Sequence, residues 1–449
     1  MFERLINENL REWKASPVRK PLVLRGARQV GKTVAVRMFG ESYDLFMEVN
    51  LEVAENAALF EQGLSPREIL QAIRLKQNVS THDAGCCLLF LDEIQASVAA
   101  VAQLRYFYED IPELHLIAAG SLLEVALQRE HISFPVGRVE FRYLYPMCFE
   151  EFLGAVAGRD MVDVFSLVPS PVFAQEELFK LYHQYALIGG MPEAVAEYVR
   201  TKDIVAVNRV YENLFAAYAD DIPKYTRNEA MARVLRHCLK TVPLQAGSRI
   251  QFAGFGESCY GSREVGDALR TLEKVMLISL LYPTVLVSVP LVPNTRKSPR
   301  LQCLDTGLVQ YVCGVQQALI GINDLSSSFR GNLLEQLTGQ ELMASRNDVR
   351  KVPLFWVREK TQSQAEVDFL ELNGAVPLPV EVKSGVAGRL RSLNRFMEMS
   401  PSAKTAVRLY RGGFLTQDAG AGIKFRLLNI PYYHVARIQE YVNMNEPKK

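Results

Sequence analysis

One loop restricts this chain more than any other stretch. The run GARQVGKT, Gly26 to Thr33, follows the apolar segment Pro21–Arg25 and fits the pattern G-x-x-x-x-G-K-[ST]. Such a loop needs a buried strand before it and a helix after it, because backbone N–H groups and the positive end of the helix must converge on one anion. Gly26, Ala27, Arg28, Gln29, Val30, Gly31, Lys32, Thr33 and Val34 are therefore the expected nucleotide cradle. The two glycines allow backbone shapes closed to other residues. Lys32 is expected to reach the β- and γ-phosphates, and the Thr33 hydroxyl to sit on magnesium.

Sixty residues on, CCLLFLDEIQ reads as a second buried strand ending in Asp92 and Glu93. An aspartate at that strand end would hold the magnesium, and Glu93 would polarise the attacking water. The apolar run from His115 then turns through Ala119-Gly120-Ser121 and resumes with helical spacing. Ser121 is placed to cap the following helix or, by resemblance to AAA-type ATPases, to face the γ-phosphate, and one hydroxyl can do both. Arg138, in PVGRVE between strand-like segments, is a candidate for neutralising charge on its own or a neighbouring nucleotide, or else a solvated loop arginine. ATP and Mg²⁺ are the implied cofactors.

The C-terminal third carries a second constellation. Glu366-Val-Asp368-Phe-Leu reads as a strand, Asn373-Gly374 as a tight turn, and Leu378–Lys383 as the return strand. Alternation puts Glu366 and Asp368 on one face, and Glu381 and Lys383 on one face of the return strand. Reflection about that turn places Asp368 opposite Pro379, with Glu381 as its diagonal neighbour about 7–8 Å away. Asp368 and Glu381 are hard oxygen ligands for magnesium or manganese, and Lys383 would orient water or stabilise phosphate charge. The order Asp368, Glu381, Lys383 resembles that of the PD-(D/E)XK nucleases, and this resemblance implies Glu335, in the upstream helix GNLLEQLTGQEL, as an additional acidic residue, with Trp356-Val-Arg358 as the strand before Asp368. Arg389, Arg391, Arg395, Lys404, Arg408 and Arg411 form a locally basic stretch suited to tracking phosphates.

GARQVGKT, LDEIQ, AAGSLLE, PVGRVE, LYPMCFEEF, LIGGMPEAV, DDIPKY and the final EVDFLELN with PVEVKSG occur in this order. The chain thereby resembles a large bacterial and archaeal family that joins an AAA-type ATPase domain to an uncharacterised C-terminal domain. The D-x(12)-E-x-K spacing resembles the PD-(D/E)XK nuclease signature. The resemblance implies an α/β fold: a P-loop AAA-type parallel sheet with a helical lid, a winged-helix segment and a C-terminal α/β restriction-endonuclease-like domain. The boundaries expected are 1–155 for the ATPase domain, 156–225 for the lid, 226–312 for the winged-helix-like domain and 313–449 for the nuclease-like domain. Homo-oligomerisation and engagement of DNA or RNA are further implications. The alternative is an ATP-driven switch or assembly protein whose C-terminal module binds without cleaving.

The rest of the sequence narrows the setting. A net charge of +1 gives no overall pull toward nucleic acid or anionic membrane, so any such affinity must be local. Seven cysteines without metal-ligand spacing fit a reduced, cytoplasmic environment, and the first residues begin no signal peptide. Val275–Val292 runs eighteen residues without a charge, but Pro283 and Pro290 break it, so it reads as two short strands rather than a membrane span. Met231–Thr241, a turn near Gln251–Phe255 and a helix capped by Ser262 precede it in winged-helix order. Arg263 and Arg270 are its candidate DNA contacts, although Glu264, Asp267 and Glu273 favour a packing role.

Overall fold

The computed structural model describes residues 2–445 except 80–82, 122, 124, 126–136, 227, 315–331, 347–351, 360–364, 384–389 and 421. The chain divides into two compact units, one built on Met1–Pro146 with Thr271–Leu277, the other on most of the remainder.

The first unit is a five-stranded parallel sheet. Its strands are β1 (Leu22–Arg25), β2 (Leu45–Asn50), β3 (Cys87–Asp92), β4 (His115–Gly120) and β5 (Glu140–Tyr143), in spatial order β2-β3-β4-β1-β5. β3 and β4 are buried along their whole length, which is why they read as unbroken apolar runs. Val23, Met47, Leu89, Leu91 and Ala118 share one core with Ile69, Ile73, Leu104 and Phe107 from two helices. All strands point the same way, so the phosphate loop after β1, Asp92 after β3 and Ser121 after β4 meet at one carboxyl edge. Arg4 fastens that edge from below the sequence motifs: its guanidinium donates to Val30 O (2.9 Å) and Tyr145 O (2.7 Å).

The second unit starts with helices. Val172–Ile188 and Pro192–Thr201 flank the Gly189-Gly190 pair, and Asn208–Asp220, Glu229–Thr241 and the first turns of the helix Ser262–Lys274 follow. Ser262 is the first residue of its helix, and the Glu264 carboxylate accepts from the Gly261 N–H at 2.9 Å. The uncharged run resolves into β6 (Ile278–Leu281) and β7 (Pro283–Thr284), in line with the two strands expected. β6 pairs antiparallel with β8 (Arg300–Cys303). No described helix is long and apolar enough to cross a membrane.

A seven-stranded mixed sheet closes the unit. β9 (Leu354–Val357), β10 (Glu366–Asn373), β11 (Val376–Val382), β12 (Thr405–Tyr410), β13 (Leu415–Ala419) and β14 (Phe425–Pro431) join β7 in the order β13-β14-β12-β11-β10-β9-β7. The helix Arg391–Met399 packs Leu393, Phe396 and Met397 against Trp356, Val367, Leu370 and Leu427.

A buried polar knot sets the helices of this unit. Asp305, fully buried, accepts from Gly190 N–H (2.6 Å), Tyr211 OH (2.7 Å) and Leu308 N–H (3.2 Å). Beside it Gln340 donates to the Tyr185 hydroxyl, which donates to Glu341 Oε1 at 2.7 Å. The glycine pair therefore does more than separate two helices. A Cβ on Gly190 would stand 2.1 Å from Met147 O, and one on Gly189 would stand 2.2 Å from Asp305 Oδ1.

Candidate functional site

The phosphate loop is shaped by different residues than the motif alone suggests. Gly31 takes φ 94°, the left-handed region that glycine occupies freely, and introduces the helix Lys32–Gly40. Gly26 is required for closeness instead, since a Cβ there would lie 2.4 Å from Leu144 O. The loop's other left-handed residue is Gln29, φ 64°.

Lys32 is buried and donates from Nζ to Gly26 O (3.0 Å) and Ala27 O (2.8 Å). Burial pulls its ammonium down from 10.5 to about 8, against the attraction of Glu93 and Asp92. Thr33 Oγ1 donates to Asp92 Oδ2 at 2.8 Å. Desolvation also raises the Asp92 carboxyl above its ordinary value, opposed by the Thr33 hydrogen bond. A hydroxyl and a carboxylate oxygen side by side, next to a cationic loop, are a hard-oxygen pair suited to magnesium. When bound, that ion would neutralise phosphate charge, with Thr33 and Asp92 as the protein groups nearest to it.

Glu93 follows with φ 51°, and its Oε2 accepts from Gln95 Nε2. Gly120 sits level with Arg25, so Ser121 emerges beside Gly26. Arg138 lies elsewhere. Glu140 is level with Leu22, which puts Arg138 below the start of β1, on the order of 20 Å along the strands from Gly26. It pairs there with Glu109 Oε1 at 2.9 Å. Its guanidinium is thus engaged by Glu109 rather than set beside the phosphate loop.

In the second unit the carboxylates converge, with a changed register. Phe369 faces Val380 and Asn373 faces Val376, so the two-residue turn is Gly374-Ala375 rather than Asn373-Gly374. Only Gly374 has positive φ (58°), the pattern of a turn with glycine at its first central position. Moving the turn by one residue moves the pairing by two. Asp368 thus comes across from Glu381 itself rather than Pro379, and its Oδ2 accepts from Val382 N–H at 2.7 Å. Lys383 Nζ lies 2.9 Å from Glu381 Oε1, while Glu381 Oε2 is buried with no hydrogen-bond partner among the described residues. Burial, with Asp368 adding to it, pushes the Glu381 carboxyl up to about 7.

The organiser of this cluster is Arg300, which is 3% exposed. Its guanidinium reaches Glu335 Oε2 (3.1 Å), Glu366 Oε1 (2.5 Å) and the Asp368 carbonyl (2.8 Å), between the rings of Phe355 and Phe369. Glu335, pushed up to about 8 by burial, does reach the cluster. Nothing in the sequence near Arg300 marks it, because its partners lie 35 to 68 residues away. Among the described residues no group of three His, Cys, Asp or Glu side chains is already gathered as a metal cage.

The basic stretch is not one surface. Arg408 is buried in β12 level with Glu381, Arg395 pairs with Glu398 (2.7 Å), and Arg411 pairs with Glu176 (3.2 Å). Arg391 and Lys404 are exposed or nearly so, and Arg389 lies outside the described residues. Of the two winged-helix candidates, Arg270 pairs with Asp267 at 3.1 Å, and Arg263 is exposed.

A parallel sheet with a strand inserted between the phosphate-loop strand and the Asp92 strand, and with Thr33 joined to Asp92, defines a P-loop nucleoside triphosphatase. Residues 18–153 match the AAA domain family, so the chain carries an AAA-type ATPase domain, a module that binds and hydrolyses ATP. Residues 179–319 and 330–433 match two domains of unknown function (DUF8612 and DUF4143). No curated protein matches the chain in sequence. Similar solved structures include the Walker-type ATPase of Pyrococcus abyssi, 17% identical over 70% of this chain and 96% of that one, TM-score 0.42. Others are the ORC1 protein of Aeropyrum pernix in complex with DNA (13%, 70% and 90%, TM-score 0.30) and the RuvB Holliday junction branch migration motor of Thermotoga maritima (13%, 66% and 93%, TM-score 0.27).

Proposed function

We propose that this chain is a magnesium-dependent ATPase whose nucleotide state controls a C-terminal, metal-dependent nuclease-like domain acting on nucleic acid. In the ATPase domain Lys32 neutralises the β- and γ-phosphates, Thr33 and Asp92 hold magnesium, Glu93 polarises water and Ser121 faces the γ-phosphate. Arg138, engaged by Glu109 rather than set beside the phosphate loop, serves a neighbouring subunit in a homo-oligomer. In the C-terminal domain Asp368, Glu381 and Glu335 are the metal-side groups and Lys383 the water- or phosphate-facing cation.

The observation that carries the nuclease reading is Glu381: a buried carboxylate oxygen without a hydrogen-bond partner among the described residues, across from Asp368 and beside Lys383. A buried anionic oxygen left unpaired is expensive, and a divalent cation would satisfy it. One observation favours a second reading, an ATP-driven switch with an inactive binding module. Arg300 already pairs with Glu335 and Glu366 and lies 3.9 Å from Asp368 Oδ1, where a resident cation would sit.

A cleavage panel of single- and double-stranded DNA and RNA, with Mg²⁺ or Mn²⁺ and with or without ATP, separates the two. The nuclease reading expects cleavage that Asp368→Ala and Lys383→Ala abolish. Cleavage indifferent to both substitutions would sink it, and ATP-dependent oligomerisation without any cleavage would establish the second reading.

A further inference from the structure

Gln95 ends the LDEIQ run and has no part in the roles given so far. Its Nε2 donates to Glu93 Oε2 at 2.5 Å, while its own Oε1 is buried and has no hydrogen-bond partner among the described residues. The amide fits because Gly120 has no side chain: a Cβ there would stand 2.1 Å from Gln95 Oε1. Gly120 is the last residue of β4, level with Arg25 at the entry to the phosphate loop, and it precedes Ser121. Glu93 holds φ 51°, a left-handed conformation that a non-glycine residue keeps only when its surroundings restrain it. Two unusual local features, a strained glutamate and a glycine emptied for an amide, therefore meet at one hydrogen bond.

We propose that Gln95 is a positioning residue for ATP hydrolysis. Its amide N–H fixes Glu93 Oε2, so the carboxylate presents Oε1 to the attacking water in one orientation. The water oxygen bonds to the γ-phosphorus as the bridging P–O bond breaks. The electron pair leaves with ADP, and the water proton passes to Glu93. Gln95 touches neither water nor phosphate and acts only through Glu93. This rests on Glu93 being the group that polarises water.

The test is steady-state ATP turnover of the full chain, with kcat and KM separated and thermal melting measured for each variant. Gln95→Ala should lower kcat about 10- to 100-fold, the effect of a misplaced catalytic group, with KM within about twofold of wild type. Gln95→Glu keeps the size but loses the donor and should fall as far. Gly120→Ala pushes the amide aside while leaving Gln95 itself unchanged, and should reproduce the kcat loss. In a Glu93→Gln background, Gln95→Ala should add no further loss, because the two residues act as one unit. Wild-type kcat in both Gln95 variants overturns the inference. So does a raised kcat, which would make the amide a restraint, or a full additional loss in the Glu93→Gln background. Glu93→Gln with wild-type turnover overturns the reading of Glu93 itself, which is a different failure.

Discussion

Replacing Lys32 by alanine should change how stability depends on pH, by an amount the site sets. Lys32 is buried, and desolvation lowers its ammonium from 10.5 to about 8 in the fold. Between those two values the unfolded chain binds a proton that the folded chain does not, so stability rises with pH across the window from 8 to 10.5. Below pH 8 the penalty is constant and complete. The fall from 10.5 to about 8 corresponds to about 3 kcal/mol. Removing the side chain lifts that penalty at pH 7 but strands the Gly26 and Ala27 carbonyls it satisfies, a loss of about 1–3 kcal/mol each. The two effects offset at neutral pH and separate in alkali, where only the hydrogen-bond loss remains. The assay is thermal melting of the nucleotide-free protein from pH 7 to 10.5. The melting difference between wild type and Lys32→Ala should move in favour of wild type by roughly 6–12 °C across that range, for a unit of this size. ATP with magnesium should raise the melting point of wild type and leave the variant's unchanged. A melting difference that stays flat with pH would refute the reasoning about burial, and an ATP-induced rise in the variant would refute the role of Lys32.

The second unit offers three further outcomes. Gly190→Ala should lower the urea midpoint by the equivalent of about 3 kcal/mol, since its Cβ would press on Met147 O at 2.1 Å; an unchanged midpoint would contradict the packing described. Arg300→Met should lower the urea midpoint by the equivalent of about 3–5 kcal/mol at pH 7 by leaving the half-buried Glu335 and Glu366 without their buried cation, and an unchanged midpoint would count against that role. Glu341, hydrogen-bonded to Tyr185 OH and Phe149 N–H, is pushed by burial from 4.5 to about 8, so the fold binds a proton that the unfolded chain lacks between those values. Wild-type stability should therefore fall as pH rises from about 4.5 to 8, and Glu341→Gln should show a flatter melting curve over that range; parallel curves would count against it.

What the sequence revealed and concealed follows from range. The meeting of Lys32, Thr33 and Asp92 at one sheet edge, and the apolar strands around them, were legible because they depend on neighbours within a few residues and on strand ends that a parallel sheet brings together. The hairpin of Asp368 and Glu381 was legible as a hairpin. Its register was not, because Asn373-Gly374 and Gly374-Ala375 are both acceptable turns and only packing chooses between them. Arg408 looked like a surface cation among basic neighbours, yet it lies in a buried strand beside Glu381. Arg4 and Arg300 left no local trace, since their partners are distant in sequence; Asp305 caps the helix that follows it through Leu308 N–H, but its bonds to Gly190 and Tyr211 are just as distant. LIGGMPEAV signalled a helix break correctly, but not the carbonyl and carboxylate that press against its glycines.

The most direct measurement is ATP turnover by wild type and by Glu93→Gln under identical magnesium and protein concentrations, with nucleotide binding measured in parallel. Wild type should turn over ATP, and Glu93→Gln should bind it with comparable affinity while losing kcat by about 100-fold or more, the scale of a positioned acid–base group. Undiminished turnover in Glu93→Gln, or no turnover in wild type that binds ATP, would contradict the assignment of this edge of the sheet as a hydrolytic site.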